Sequence, residues 1–201
     1  MHTVTMSGCA VVALEGSHGT GKSTLAHALV TLYKTRSVNA ALVAETARRS
    51  PFVETAVIHG VGGFSMEAEL QLFGAHMAEE QLSARHHELV ICDKTIANIV
   101  GYAKLLASEQ GRSAKLLASM SGLAGAYSPF YDLVIYMSEL YDPARTKDPY
   151  RPKDRDFQRS ADRYIRAACE DAGMTLTELP RDLDFQSQVL WTAEQIDGIL
   201  G

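Results

Sequence analysis

Residues 9–23 read Cys9-Ala10-Val11-Val12-Ala13-Leu14-Glu15-Gly16-Ser17-His18-Gly19-Thr20-Gly21-Lys22-Ser23. The run 9–14 is short, apolar and rich in β-formers, and a glycine-rich turn ends it, so it reads as a buried parallel strand. The next residues match GxxxxGK[ST], in which glycines let the backbone wrap until successive N–H groups point inward at phosphate oxygens. Leu25, Ala28, Leu29, Leu32 and Tyr33 then recur at i, i+3, i+4, i+7 and i+8, which predicts an amphipathic helix from Lys22 to about Thr35. The positive end of that helix adds to the attraction for an anion. Gly16, Ser17, His18, Gly19, Thr20, Gly21, Lys22, Ser23 and Thr24 are therefore the expected cradle for the phosphates of ATP. Lys22 is expected to reach the β- and γ-phosphates and Ser23 to ligate Mg²⁺. GTP remains an open alternative donor. His18 sits in a loop that contributes backbone, so its side chain is expected to face solvent.

Beyond this junction the chain alternates. Strands are expected at 40–44, 89–92, 133–137 and 175–179. Helices are expected from Ser65, as cap, to about 85, in segments over 95–124, over 156–172, and at the end through Val189, Ala193, Ile196 and Leu200. Met66, Leu70, Phe73 and Met77 mark the expected inner face of the first of these. Stretch 46–64 carries Pro51, Gly60, Gly62 and Gly63 and reads as irregular. Alternation of this kind implies a parallel sheet with helices on both faces and right-handed crossovers. Ligands of such sheets lie at the carboxyl ends of the strands, where Gly16, Glu45, Asp93 and segment 139–156 all fall.

Composition narrows the class. The 201 residues are 46% hydrophobic and 21% charged, ordinary for a globular chain of one domain, here 1–201, with a lid at about 139–156. The net charge of −5 argues against a surface devoted to nucleic acid. Three widely spaced cysteines, Cys9, Cys92 and Cys169, show no metal or redox spacing and suit a reducing cytosol. No run reaches the roughly 18 apolar residues of a membrane helix. A cytoplasmic protein without membrane contact is expected, and a homodimer is compatible with the sequence.

Three further elements bear on the chemistry. Strand 89–92 ends in Asp93-Lys94, so a cation stands where a hydrolytic ATPase commonly carries its water-activating carboxylate. No Asn-Lys-x-Asp base-reading element of a GTPase is present. Both points favour phosphoryl transfer to a bound acceptor, which needs alignment and charge screening more than covalent chemistry. Asp93 is expected to hold Mg²⁺ through water or to act as base. Glu45 is expected to take an acceptor proton or hold a sugar, with Arg48 and Arg49 able to grip an acceptor phosphate. Segment 142–166 carries eight Lys/Arg against five Asp, a local +3 against −8 for the remainder. Arg151 and Arg155 lie in its mobile, proline-stiffened part, where an arginine can close on the transferring phosphoryl group. Arg159, Arg163 and Arg166 read instead as members of a solvated helix with i, i+4 pairs.

The order of these elements resembles the small P-loop kinases and kinase-like ATPases related to the ribosylnicotinamide kinase domain. It is more distantly similar to thymidylate kinase and the deoxynucleoside kinases. Glu45-Thr46-Ala47-Arg48 matches their Glu-x-x-Arg element, Tyr131-Asp132 their Tyr-Asp start of the fourth strand, and Asp148-Pro149-Tyr150-Arg151 their Asp-Gly-x-Arg lid. Asp93-Lys94, Asn98 and Tyr102 stand where those relatives carry Asp-Arg, Asp and Tyr. Lys94 loses the planar fork of arginine, Asn98 cannot serve as a base, and Pro149 replaces a flexible glycine. The resemblance implies a three-layer P-loop fold, with a five-stranded parallel sheet in the order 2-3-1-4-5 and a basic lid. It also implies Glu45, Arg48, Arg49, Lys94 and Tyr102 as the acceptor side and Lys22, Glu45, Asp93 and Arg151 as catalytic. The expected activity is transfer of the γ-phosphoryl group of ATP to a small nucleoside, nucleotide or nucleoside-like acceptor. A kinase for a modified base or end in DNA, and a non-kinase ATPase or switch, stay open as alternatives.

Overall fold

Alternating residues of the first strand face opposite ways, and both sets are apolar: Val11 and Ala13 on one side, Val12 and Leu14 on the other. A strand of that composition is stable only with a layer on each face. The computed structural model describes residues 8–46, 50, 65–110, 114–141 and 154–201. In it β1 (Ala10–Glu15) is the middle strand of five. The chain continues through α1 (Lys22–Thr35), β2 (Ala40–Val43), α2 (Met66–Ala84) and β3 (Leu89–Cys92). Then come α3 (Ile96–Gln110), α4 (Ala114–Tyr127), β4 (Leu133–Tyr136), α5 (Arg155–Asp171), β5 (Leu176–Glu178) and α6 (Phe185–Leu200).

The sheet order is β2-β3-β1-β4-β5 and every pair is parallel. The expected order 2-3-1-4-5 is thus observed. Register places Val12 beside Ile91 of β3 and Leu133 of β4. Helices α2, α3, α4 and α5 cover one face through Phe73, Ile99, Met120 and Ile165. Helices α1 and α6 cover the other through Leu25, Leu29, Tyr33, Ala193 and Ile196. The Tyr33 hydroxyl donates to Asp197 Oδ1 at 2.7 Å and to the Ala193 carbonyl at 3.0 Å, tying those two helices together.

Helix starts follow local chemistry. Ser65 Oγ accepts from the Ala68 amide at 3.2 Å, as expected of a cap, and Asp154 and Asp184 do the same for α5 and α6. One inner face differs from expectation. Met66 and Phe73 are buried as expected, but Leu70 is 43% exposed and Leu72 is buried in its place. The reason is that α2 also turns Glu69, His76 and Glu80 inward, so apolar residues alone do not trace its buried stripe. Helices α3 and α5 approach closely at Gly101, where an added Cβ would lie 2.6 Å from Ile165 Cα.

Cys92 and Cys169 are buried and Cys9 is half-buried, all as free thiols. Among the described residues no helix is long and apolar enough to cross a membrane. Most of stretch 46–64 and of the basic segment 139–156 lies outside the described residues, and with them Arg48, Arg49 and Arg151.

Candidate functional site

The carboxyl ends of β1, β2, β3 and β4 bring Gly16, Glu45, Asp93 and Met137 to one edge of the sheet. Gly16 takes φ +133°, and a Cβ there would meet the Met137 carbonyl oxygen at 2.7 Å. Both the backbone angle and the space demand glycine. Lys22 folds back over the loop, its Nζ donating to the Ser17 carbonyl at 2.5 Å and to Thr20 Oγ1 at 3.3 Å. Burial lowers the Lys22 pKa, while the charges of Asp93 and Glu15 oppose that fall. Ser23 is half-buried and Thr24 exposed at the start of α1.

Ser23 Oγ donates to Asp93 Oδ2 at 2.5 Å, across 70 positions of sequence. The two residues expected to share Mg²⁺ therefore meet. Among the described residues no three His, Cys, Asp or Glu gather as a metal site. One hydroxyl and one carboxylate nevertheless suit a hard cation that keeps water and phosphate oxygens as its other ligands. Asp93 does not cap α3, since Thr95 Oγ1 accepts the Ala97 amide at 3.1 Å and fills that place.

Lys94 adopts φ +130°, a conformation that costs a side chain-bearing residue on the order of 1–3 kcal/mol. Its Nζ donates to Glu45 Oε1 at 2.8 Å, so the two residues are brought together as an ion pair. Burial works to lower the Lys94 pKa, but the Glu45 carboxylate outweighs it and the net shift is upward. Glu69 of α2 is 2% exposed, and burial pushes its carboxyl up to about 7 against the pull of Lys94.

His18 departs from expectation. It is half-buried, its Nδ1 lies 3.1 Å from the Tyr102 hydroxyl, and its ring packs 5.9 Å from that of Phe157. The loop turns this side chain toward α3 and α5, where Tyr102 and Phe157 supply partners that solvent would otherwise replace. Tyr102 thus joins the phosphate loop directly.

Several residues here have no motif to announce them. Glu15 is fully buried directly before the loop, and its carboxylate accepts from the Gly16 amide (2.7 Å), Asn98 Nδ2 (2.5 Å), the Thr95 amide (3.0 Å) and Thr95 Oγ1 (2.6 Å). Four donors compensate the loss of water around that charge. Asn98 also donates to the Gly16 carbonyl at 3.1 Å, so the asparagine that replaces an expected Asp braces the loop. Gln158 is 2% exposed and gives its Nε2 to the His18 carbonyl at 2.8 Å and to the Tyr141 carbonyl at 3.3 Å. The Tyr141 amide in turn donates to the Gly19 carbonyl at 2.9 Å. The only sequence signal for Gln158 is a polar residue on the inner stripe of α5, between Phe157 and Ala161.

Arg155 opens α5 and is exposed. Farther along, Arg166 pairs with Glu178 at 2.6 Å and lies 4.0 Å over the Tyr136 ring, and Arg159 lies 3.8 Å from Asp156. Arg166 thus ties α5 to the sheet, and Arg159 and Arg163 reach partners three positions back rather than forming the expected i, i+4 pairs.

A family model described as an AAA domain matches residues 11–186, most of the chain. The chain belongs to this AAA-domain family. Among solved structures, the AAA-domain chain is similar to thymidylate kinase from Candida albicans, with a TM-score of 0.67 and 18% identity over 95% of this chain and 92% of that one. It is also similar to deoxyadenosine kinase from M. mycoides, determined with dCMP and a flexible dCDP bound, with a TM-score of 0.64 and 15% identity over 94% of this chain and 99% of that one. No curated protein matches. At such identities the likeness is one of fold, and the fold is that of the P-loop nucleoside and nucleotide kinases, the group that the sequence resembles.

Proposed function

We propose that this AAA-domain chain is an ATP- and Mg²⁺-dependent kinase that transfers the γ-phosphoryl group to a small nucleoside, nucleotide or nucleoside-like acceptor. The observation that carries the reading is the convergence of the phosphate loop, the Ser23–Asp93 pair and the Lys94–Glu45 pair on one sheet edge. In this reading the loop amides and Lys22 hold the β- and γ-phosphates, and Ser23 and Asp93 hold the cation. The cation screens the charge that spreads over the transferring group. Glu45, oriented by Lys94, faces the acceptor hydroxyl and receives its proton, with Tyr102 on the same side. Arg48 and Arg49 would contact the acceptor. Arg151 and Arg155, on a lid at about 139–156 of a single kinase domain, would contact the transferring phosphoryl group.

Pairing with Lys94 fixes the direction of the Glu45 carboxylate, which supports a contact to a bound acceptor over activation of bulk water. A screen of nucleosides and nucleoside monophosphates with labelled ATP tests the reading. Turnover should rise sharply with one acceptor class. ATP hydrolysis that no acceptor stimulates would refute it in favour of a plain ATPase.

A further inference from the structure

Helix α2 carries a buried polar pair behind the site. His76 and Glu80 are both fully buried and one turn apart, with His76 Nε2 3.3 Å from Glu80 Oε1. The same nitrogen lies 3.1 Å from the Lys94 carbonyl oxygen. Both neighbours are acceptors, so Nε2 carries a hydrogen. The Tyr131 hydroxyl donates to the same Glu80 oxygen at 2.8 Å and accepts from the Ile96 amide at 3.0 Å. From the opposite side Glu15 takes the Thr95 amide and hydroxyl, and the Asp93 amide donates to the Val43 carbonyl at 2.8 Å. The turn 93–96 is held group by group, and at its centre stands Lys94 with its unfavourable φ of +130°.

Stability alone does not account for the pair. His76 Nδ1 has no hydrogen-bond partner among the described residues, and a buried atom of that kind carries a desolvation penalty. Apolar side chains of similar volume commonly fill such a place at no loss of stability. What they cannot do is hold the Lys94 carbonyl. A strained residue persists only where its surroundings over-determine it.

We propose that His76, backed by Glu80 and Tyr131, is a positioning residue. It holds the Lys94 carbonyl so that the turn keeps its unfavourable backbone, directing the Asp93 carboxylate to Ser23 and the Lys94 ammonium to Glu45. The inference rests on the cation role given above to Ser23 and Asp93. It concerns the metal-dependent part of nucleotide binding, because among the described residues His76 bonds to Lys94 and Glu80 and to no group of the phosphate loop.

Calorimetry with ATP, once with magnesium and once with a chelator, separates the two parts. The wild type should bind ATP more tightly with magnesium than without. His76→Phe should cut that magnesium gain by about tenfold, the scale of a lost buried hydrogen bond, and leave metal-free binding within about twofold. His76→Gln, which keeps a donor at the same reach, should recover most of the gain. Tyr131→Phe keeps the ring, removes only the hydroxyl, and should lower the gain in the same direction even where His76→Phe does not fold. Equal weakening of metal-bound and metal-free ATP, or a gain that neither variant changes, overturns the inference while the kinase reading stands. A wild type with no magnesium gain overturns both.

Discussion

Replacing Glu69 with glutamine should remove a pH-dependent penalty from the stability of this chain. The carboxyl is 2% exposed on the first turn of α2, and burial lifts its pKa from an ordinary 4.5 to about 7, with Lys94 pulling the other way. An acid whose folded pKa is raised is neutral and unpenalised below its unfolded value. Its contribution to stability is then lost as pH rises from 4.5 through about 7, and the full penalty persists above that. At roughly 1.4 kcal/mol per pH unit, the span amounts to about 3 kcal/mol. For a chain of this size each kcal/mol moves the melting temperature by roughly 2–4 °C, so the expected difference is about 6–12 °C at pH 8. Thermal melts followed by circular dichroism at pH 5, 6, 7 and 8 read this directly. The Glu69→Gln variant should gain on the wild type as pH rises, with the steepest change between pH 5 and 7. Two parallel curves, offset by the same amount at every pH, would refute the argument.

Lys22→Ala should abolish ATP binding in calorimetry with and without magnesium, because the loop loses the one buried ammonium that it encloses. Arg151→Ala should cut turnover by about a thousandfold while changing ATP affinity far less, as expected of a contact made in the transition state; equal loss of both would make it a ground-state anchor. Gly101→Ala should destabilise the fold by about 1–3 kcal/mol in urea titrations, since a methyl group there meets Ile165 backbone at 2.6 Å.

Local signals carried much of this fold. The strand, glycine turn and amphipathic helix at 9–35 each have their own pattern, and together they name a phosphate loop without knowledge of any other residue. The alternation of elements extends that reading to a parallel sheet with its ligands at one edge. The bracing of the loop was not legible, because it is made across long separations: Glu15 meets Thr95 and Asn98 80 and 83 positions away, and His18 meets Tyr102 84 positions away. Nothing near Glu15 distinguishes an internal carboxylate from a solvated strand end until its donors are known. The inner stripe of α2 was obscured for a related reason. Periodicity arguments assume that inward means apolar, and Glu69, His76 and Glu80 break that assumption where the helix backs the turn at Asp93 and Lys94.

The contact between Gly101 and Ile165 limits how this chain can diversify. Helix α3 leaves the Asp93 turn and α5 carries the Gln158 amide that grips the phosphate loop, so the two halves of the donor frame meet where backbone touches backbone. Side chains elsewhere can be exchanged and repacked, but a spacing set by the absence of a side chain has only one direction in which to change. On the proposed kinase reading, a change of acceptor would fall to residues around Glu45, with the spacing of α3 and α5 left as inherited.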